Sequence, residues 1–471
     1  MDSPLKPFPL HLFRAYDIRG CTDLLNSQVV YATACALAEE YIAQQQQHLV
    51  IAYDARLSSP RYAQIIQQVC ESYGLTVKCI GCCSSPMLYL IARDFSGNGI
   101  MVTASHNPKQ DNGIKWLIQG EPPAAEQIQH IGQRAASFYQ PQTDLDWSEA
   151  SPFFDQQSAA KYRQAMTQDI HLNHGFKVVL DGLHGAAGHC AVQILQDLGC
   201  EVIALRAEPN GHFPDHAPDP SQEKHLQQLK QQILLQQADV GIALDGDGDR
   251  VVLLDEHAQF ISADRLLALF AEMTLQNHPQ HEVVFDVKCS SLVRDTIVEN
   301  QGVATMIRTG SSYLRKYIAG SAGRAVFGGE YAGHYVFNDG RGFGYDDGIY
   351  AALRVLEYLA ENQLSLAQLM QKYPARVGTE DLYISTHGED VQQVLQSVKV
   401  QSQQISAKLS EIDGIRLDFD DGFGIIRASN TGEYFTLRFD AQSLHRLKEI
   451  QQLFIQMLTA YPKIADDIAQ A

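Results

Sequence analysis

The chain has 471 residues and a formal net charge of −19. That length is too great for one hydrophobic core and suggests about three or four domains. The acidic balance argues against general nucleic-acid binding, which needs basic surface, but leaves an anionic small substrate open, because a site can be locally basic. No apolar run reaches the ~20 residues of a transmembrane helix. Met1-Asp2-Ser3-Pro4-Leu5-Lys6-Pro7 lacks the apolar core of a signal peptide. A cytoplasmic protein without membrane partners is expected, and its nine cysteines read as reduced thiols. Cys79-Ile80-Gly81-Cys82 has redox or zinc spacing, but no second Cys or His pair stands nearby, so it reads as apolar strand-end packing.

Phe13-Arg14-Ala15-Tyr16-Asp17-Ile18-Arg19-Gly20 crowds charge near the N-terminus and reads alone as a solvated turn with a local ion pair. A helix follows from the Asn26-Ser27 cap through Tyr41, with amphipathic spacing. The chain then repeats a strand–helix–strand unit followed by a strand with a polar loop at its end. In the first copy, strand Leu49 to Tyr53 ends on Asp54, a helix spans Ala63 to Tyr73, and strands Gly74 to Cys79 and Gly99 to Thr103 follow. In the second, Lys177 to Leu180 ends on Asp181, with further strands Gly199 to Ala204 and Val240 to Leu244. In the third, Glu282 to Phe285 ends on Asp286, with strands Gly302 to Ile307 and Arg324 to Phe327. Such units predict α/β domains with mixed, mostly parallel sheets covered by helices. Three similar domains would bring their loops to one central cleft. After about Pro374 the pattern becomes a smaller α+β domain: strand Asp381 to Ile384, helix Val391 to Leu409, strands Gly422 to Ile426 and Tyr434 to Phe439, and a closing helix Ser443 to Leu458. The expected domains are 1–152, 153–255, 256–370 and 371–471.

The loops carry the chemistry. In Thr103-Ala104-Ser105-His106-Asn107-Pro108, the Asn-Pro pair ends the strand. Ser105 then lies at a strand's carboxyl end, where open α/β sheets place ligands. It is a candidate nucleophile or phosphate carrier. The G-x-S-x-G elbow of serine hydrolases is absent. His106 follows directly, and on extended chain neighbours point to opposite sides, so it is badly placed to take the Ser105 proton. Asp245-Gly246-Asp247-Gly248-Asp249-Arg250 puts three carboxylates together, which repel one another unless a cation sits among them. Oxygen-only ligands point to Mg²⁺, Mn²⁺ or Ca²⁺ rather than zinc. An EF-hand is excluded, because Arg250 stands at its glycine position and Val251 to Leu254 reads as strand. Glu330 and His334 could hydrogen-bond vicinal hydroxyls. Arg427-Ala428-Ser429-Asn430-Thr431-Gly432 suits a phosphate, and also a tight turn.

TASHNP, DGDGDR, GEYAGH and RASNTGE, in that order and spanning essentially the whole chain, resemble the four site loops of the α-D-phosphohexomutase superfamily, bacterial phosphomannomutase/phosphoglucomutase type. FRAYDIRG and Asp286-Val287-Lys288-Cys289 fit the same family. The resemblance implies three similar α/β domains and a C-terminal α+β domain around a central cleft. It implies reversible transfer of a phosphoryl group between C1 and C6 of mannose or glucose phosphates, through a phosphoserine at Ser105 and a 1,6-bisphosphohexose. One Mg²⁺ would be held by the Ser105 phosphate, Asp245, Asp247 and Asp249. Tyr16, Arg19, Lys115 and Arg250 would serve the reacting phosphoryl group. Lys288, Glu330 and His334 would bind the sugar, and Arg427, Ser429, Asn430 and Thr431 the non-reacting phosphate. Glucose 1,6-bisphosphate or mannose 1,6-bisphosphate would activate a monomeric enzyme whose partners are hexose phosphates. Two departures stand out: Thr309-Gly310-Ser311 where the family often has Thr-Gly-His, and Tyr331-Ala332 where Met-Ser is commoner. Phosphoglucosamine mutase is the alternative within the same machinery, a non-catalytic phosphosugar-binding protein the alternative from another class, and a Mg²⁺-dependent phosphatase a third.

Overall fold

The computed structural model describes residues 7–140, 151–429 and 432–470. The chain forms two compact units. One takes Met1–Ile261, Ala332–Phe337 and Arg341–Leu369; the other takes Ser262–Tyr331, Asn338–Gly340 and Met370–Ala471.

The first unit holds two five-stranded sheets of the same design. In one the order is Ile18–Cys21, Asp111–Leu117, Gly99–Val102, His48–Tyr53, Thr76–Cys82. In the other it is Phe260–Ile261, Val251–Leu254, Val240–Leu244, Lys177–Asp181, Glu201–Leu205. Each places its first long strand parallel to two neighbours, then adds two antiparallel strands beyond the third. Each sheet is therefore mixed and mostly parallel, as expected: four of its five strands run in one direction and one return strand opposes them. The antiparallel return strands Asp111–Leu117 and Val251–Leu254 fold back directly after the two acidic or hydroxyl-bearing loops. The strands form where Val and Ile cluster; Val50, Ile51, Val178, Val179 and Ile242 are fully buried, each worth about 1.5–3 kcal/mol of apolar transfer.

The helix Ser27–Ala43 starts as expected, with Asn26 Oδ1 accepting from Val29 N at 3.1 Å. Its buried alanines at 32, 34, 36 and 38 let the helices Ser59–Ser72 and Ala125–Phe138 pack closely on it. Tyr41, fully buried, donates to Leu117 O at 2.8 Å, which meets the hydroxyl's need for a partner. Phe13-to-Gly20 is more than a turn: Ile18–Cys21 pairs as an edge strand with Asp111–Leu117. Its partner is about ninety residues away, beyond the reach of local pattern.

In the second unit, Glu282–Asp286 lies parallel to Val303–Ile307 and to Ala325–Gly329. A separate antiparallel sheet runs Val377–Gly378, Tyr434–Ala441, Gly422–Ala428, Ile415–Phe419, Lys408–Ser410, with Leu382–Ser385 also on Tyr434–Ala441. The helix expected over Val391 to Leu409 stops earlier, at Val391–Ser402. Ser402 Oγ donates to Lys399 O at 2.8 Å, a local bond that competes with further helix, and Lys408–Ser410 becomes an edge strand. A last helix, Pro462–Gln470, follows the one expected to close the chain; proline at a first helical position suits its start. Among the described residues, no helix is long and apolar enough to cross a membrane.

Candidate active site

In the first unit the two loops at the equivalent strand ends meet. Ser105 follows strand Gly99–Val102, and Asp245 follows Val240–Leu244. Ser105 has a left-handed backbone, φ 51°, unusual for a non-glycine residue. Thr103 Oγ1 accepts from its N–H at 2.8 Å. Ser105 Oγ donates to Asp245 Oδ2 at 2.7 Å. The same oxygen is 3.1 Å from His106 Nδ1. The expectation that His106 points away from Ser105 is therefore corrected: it assumed extended chain, and the positive φ brings the ring back. Because Ser105 Oγ donates its own proton towards Asp245, it can accept from His106 in the tautomer that carries Nδ1–H. Burial, helped by the guanidinium groups of Arg250 and Arg19, holds the His106 pKa well below its ordinary value, so the ring is neutral.

Asp245, Asp247 and Asp249 are all buried, and one oxygen of each lies within 4.8 Å of the others. Gly246 permits this approach, since a Cβ there would lie 2.4 Å from Ser105 O. Asp247 Oδ2 accepts from Ser85 Oγ at 2.7 Å and from Lys115 Nζ at 3.0 Å; Lys115 also donates to Asp249 Oδ2 at 3.1 Å. Burial and the two neighbouring carboxylates push Asp245 well above the usual carboxylate range. Burial acts the same way on Asp247, but Lys115 and Ser85 outweigh it and lower its pKa. Burial opposes the Lys115 charge, yet Asp247 and Asp249 raise its pKa well above normal. Asp247 Oδ1 and Asp249 Oδ1 are buried with no hydrogen-bond partner among the described residues. Three buried carboxylates with orphaned oxygens fit a hard divalent cation, so this cluster could hold a metal.

Arg19 and Arg250 add positive charge to the same loops. Arg19 donates to Asn107 Oδ1 at 3.0 Å and pairs with Asp17. Its pKa is raised against burial by Asp17 and Tyr16. Arg250 Nε donates to His334 Nε2 at 2.9 Å. His334 Nδ1 lies 2.7 Å from an Asp346 oxygen. His334 thus pairs with Arg250 of the three-aspartate loop in this geometry.

The second unit carries the remaining predicted residues. Lys288 Nζ pairs with Asp381 at 2.6 Å. Glu330 accepts from Gly310 N. Tyr331 N donates to Asp286 Oδ1 at 3.1 Å, and the Arg438 guanidinium carbon stands 3.5 Å from the Tyr331 ring centroid. The unusual tyrosine is therefore stacked on an arginine. Arg427 Nε donates to Asp413 Oδ2 at 2.9 Å. Ser429 N donates to Tyr434 O at 3.0 Å. Asn430 and Thr431 lie outside the described residues.

Sequence reasoning missed the residue that shapes the Ser105 loop. Arg56, 1% exposed, donates to the carbonyls of Ser105, Asn107, Pro108 and Asp111. Its Nε donates to Asp54 Oδ2, which also accepts from Thr103 Oγ1. Asp181 holds Arg206 in the second copy. A strand-ending aspartate followed within two residues by an arginine was the available signal.

Comparison with known proteins agrees along the chain. Family models described as phosphoglucomutase/phosphomannomutase α/β/α domains I, II and III match residues 10–141, 160–258 and 262–377. A phosphomannomutase/phosphoglucomutase of Pseudomonas syringae pv. tomato is 37% identical over 99% of both chains. A Neisseria gonorrhoeae phosphoglucomutase is 32% identical over 96% of this chain and 98% of its own. The crystal structure of a phosphoglucomutase/phosphomannomutase family protein from Burkholderia thailandensis superimposes with a TM-score of 0.86 at 31% identity, covering 96% of this chain and 98% of that one.

Proposed function

The chain belongs to the phosphoglucomutase/phosphomannomutase family, and from that premise we propose that it interconverts the 1- and 6-phosphates of glucose and mannose through a phosphoryl group carried on Ser105. The observation that carries this is Ser105 Oγ, 2.7 Å from Asp245 Oδ2, set among three buried aspartates and Lys115. Phosphoryl transfer needs positioning and charge stabilisation above all, and that is what these groups supply. Asp245, Asp247, Asp249 and the Ser105 phosphate would hold one Mg²⁺ per chain. When bound, that ion neutralises a phosphate beside three carboxylates, which would otherwise repel it.

In the forward step the P–Oγ bond of Ser105 breaks as a bond forms from phosphorus to the free sugar hydroxyl, which gives up its proton as the released Oγ takes one up, so the serine hydroxyl is restored. The resulting 1,6-bisphosphohexose turns over and returns its other phosphoryl group to Ser105. Lys115, Arg19 and Arg250 keep their charge in burial, so their part is to balance the moving phosphoryl charge, with Tyr16 beside Arg19. Lys115 stays an ammonium between Asp247 and Asp249, which suits holding or donating a proton at Oγ better than taking one. Lys288, Glu330 and His334 are assigned to the sugar. Arg427, Ser429, Asn430 and Thr431 are assigned to the phosphate that does not react. A domain division at 1–152, 153–255, 256–370 and 371–471 gives one such loop to each domain. Glucose or mannose 1,6-bisphosphate would re-prime a dephosphorylated Ser105.

One chain carries every residue named, so a monomer suffices. The described cysteines are all unpaired, which supports a reducing, cytoplasmic setting. The net charge of −19 supports hexose phosphates rather than nucleic acid as partners. The test is incubation with glucose 1-phosphate, mannose 1-phosphate and glucosamine 1-phosphate in turn. The 6-phosphates of glucose and mannose are expected. Turnover of glucosamine 1-phosphate alone would make it a phosphoglucosamine mutase, release of free phosphate a phosphatase, and no turnover a binding protein.

A further inference from the structure

We propose that Asp413 is a positioning residue that aims Arg427 at its phosphate and ties it to the Thr309-Gly310 turn; this rests on the reading of Arg427 as a phosphate residue. Arg427 lies on strand Gly422–Ala428 and is 6% exposed. Its Nε donates to Asp413 Oδ2 at 2.9 Å, and the same oxygen accepts from Thr309 N at 3.2 Å. Thr309 Oγ1 in turn donates to Asp286 Oδ2 at 2.9 Å. The neighbouring Gly310 N–H goes to Glu330, and Asp286 Oδ1 receives Tyr331 N. Two carboxylates thus join the phosphate arginine, the Thr-Gly turn and the sugar loop.

The remaining edge of the guanidinium shows what the pairing leaves over. Arg427 Nη2 is buried and has no hydrogen-bond partner among the described residues. A buried charged donor without an acceptor is costly, so it marks a place for an anion that the described residues do not provide. Asp413 reaches its position because Gly414 follows it with φ 89°. A Cβ at Gly414 would lie 2.3 Å from Ile426 O and 2.7 Å from Arg427 Cα. The Asp-Gly pair is therefore shaped to Arg427. Electrostatics alone would make Asp413 a brake, since a carboxylate repels phosphate. Geometry makes it a guide, because a fixed Nε leaves the rest of the fork pre-aligned. The two roles have opposite consequences.

The experiment compares full-length wild type, Asp413→Ala, Asp413→Asn, Arg427→Ala and the Asp413→Ala/Arg427→Ala double variant, each checked for folding by circular dichroism. KM and kcat are measured with glucose 1-phosphate and glucose 6-phosphate, and inhibition with inorganic phosphate. Asp413→Ala is expected to raise KM for both isomers and weaken phosphate inhibition about ten-fold, with kcat within about two-fold, as loss of uniform binding requires. Asp413→Asn, whose amide oxygen still accepts from Nε, is expected to recover most of the loss. In the Arg427→Ala background Asp413→Ala should add nothing. If Asp413→Ala does not fold, Asp413→Glu, which displaces the charge by a methylene, carries the same expectation of a raised KM. An unchanged or lowered KM in Asp413→Ala, with KM raised in Arg427→Ala, overturns this inference alone. Wild-type KM in Arg427→Ala overturns the phosphate-site reading and this inference with it.

Discussion

Lys115 Nζ stands 3.0 Å from Asp247 Oδ2, on the carboxylate cluster assigned to the metal. The ammonium, which also donates to Asp249 Oδ2, balances part of the charge of three buried aspartates.

Removing a carboxylate from this set should remove the metal's hold. Asp247→Asn is expected to lose metal-dependent turnover by at least about a hundred-fold, because a hard-cation site depends on ligand charge. EDTA should silence the wild type and Mg²⁺ restore it. Isothermal titration with Mg²⁺ reads the loss independently of activity. Wild-type Mg²⁺ affinity in Asp247→Asn would remove the aspartate from the ligand set.

Arg56 should matter for stability as much as for turnover. Its guanidinium serves four carbonyls of the Ser105 loop and Asp54. Truncation to Leu leaves those groups buried and unpaired, which should cost on the order of 3–5 kcal/mol. Arg56→Lys keeps the charge but not the planar fork, and is expected to recover little. Urea unfolding measures both. Full stability in Arg56→Lys would mean charge, not the fork, holds the loop.

Asp347 gives the fold a pH dependence. It caps helix Gly348–Asn362 by accepting from Tyr350 N at 3.0 Å, and Tyr162 donates to it at 2.8 Å. Burial, with Asp346 adding to it, pushes its pKa up to about 7. The folded value exceeds the unfolded one, so the native state binds the extra proton. Its stabilising contribution is present below about pH 4 and lost as pH rises through about 7. Asp347→Asn keeps an accepting oxygen and avoids the buried charge. Its stability relative to wild type should therefore improve between pH 5 and pH 8, by on the order of 2–4 kcal/mol. Thermal unfolding at both pH values is the check, and an equal difference at the two would contradict the shift.

The sequence made the repeated units and the loops legible for physical reasons. Val- and Ile-rich runs ending on Asp54, Asp181 and Asp286 mark buried strands, and Asp245-Gly246-Asp247 has few uses other than a cation. What stayed hidden depends on distant partners. Ile18–Cys21 needs Asp111–Leu117 to be a strand. Arg56 looks like a surface residue until the carbonyls of residues 105–111 close over it. His106 was misplaced because nothing local announces the left-handed turn at Ser105. Tyr331 was legible as a departure from the family pattern, while its stacking on Arg438, more than a hundred residues later, was not.

The most direct test of the central claim follows the phosphoryl group itself. Protein phosphorylated by glucose 1,6-bisphosphate is mixed with excess glucose 1-phosphate and quenched within one turnover, and the Ser105 peptide and the sugar products are weighed by mass spectrometry. The account requires the phosphoryl mass on Ser105 to fall as bisphosphohexose appears in equal amount, and Ser105→Ala to show neither signal. A phosphoryl group that stays on Ser105 while glucose 6-phosphate accumulates, or turnover by Ser105→Ala at the wild-type rate, would contradict it.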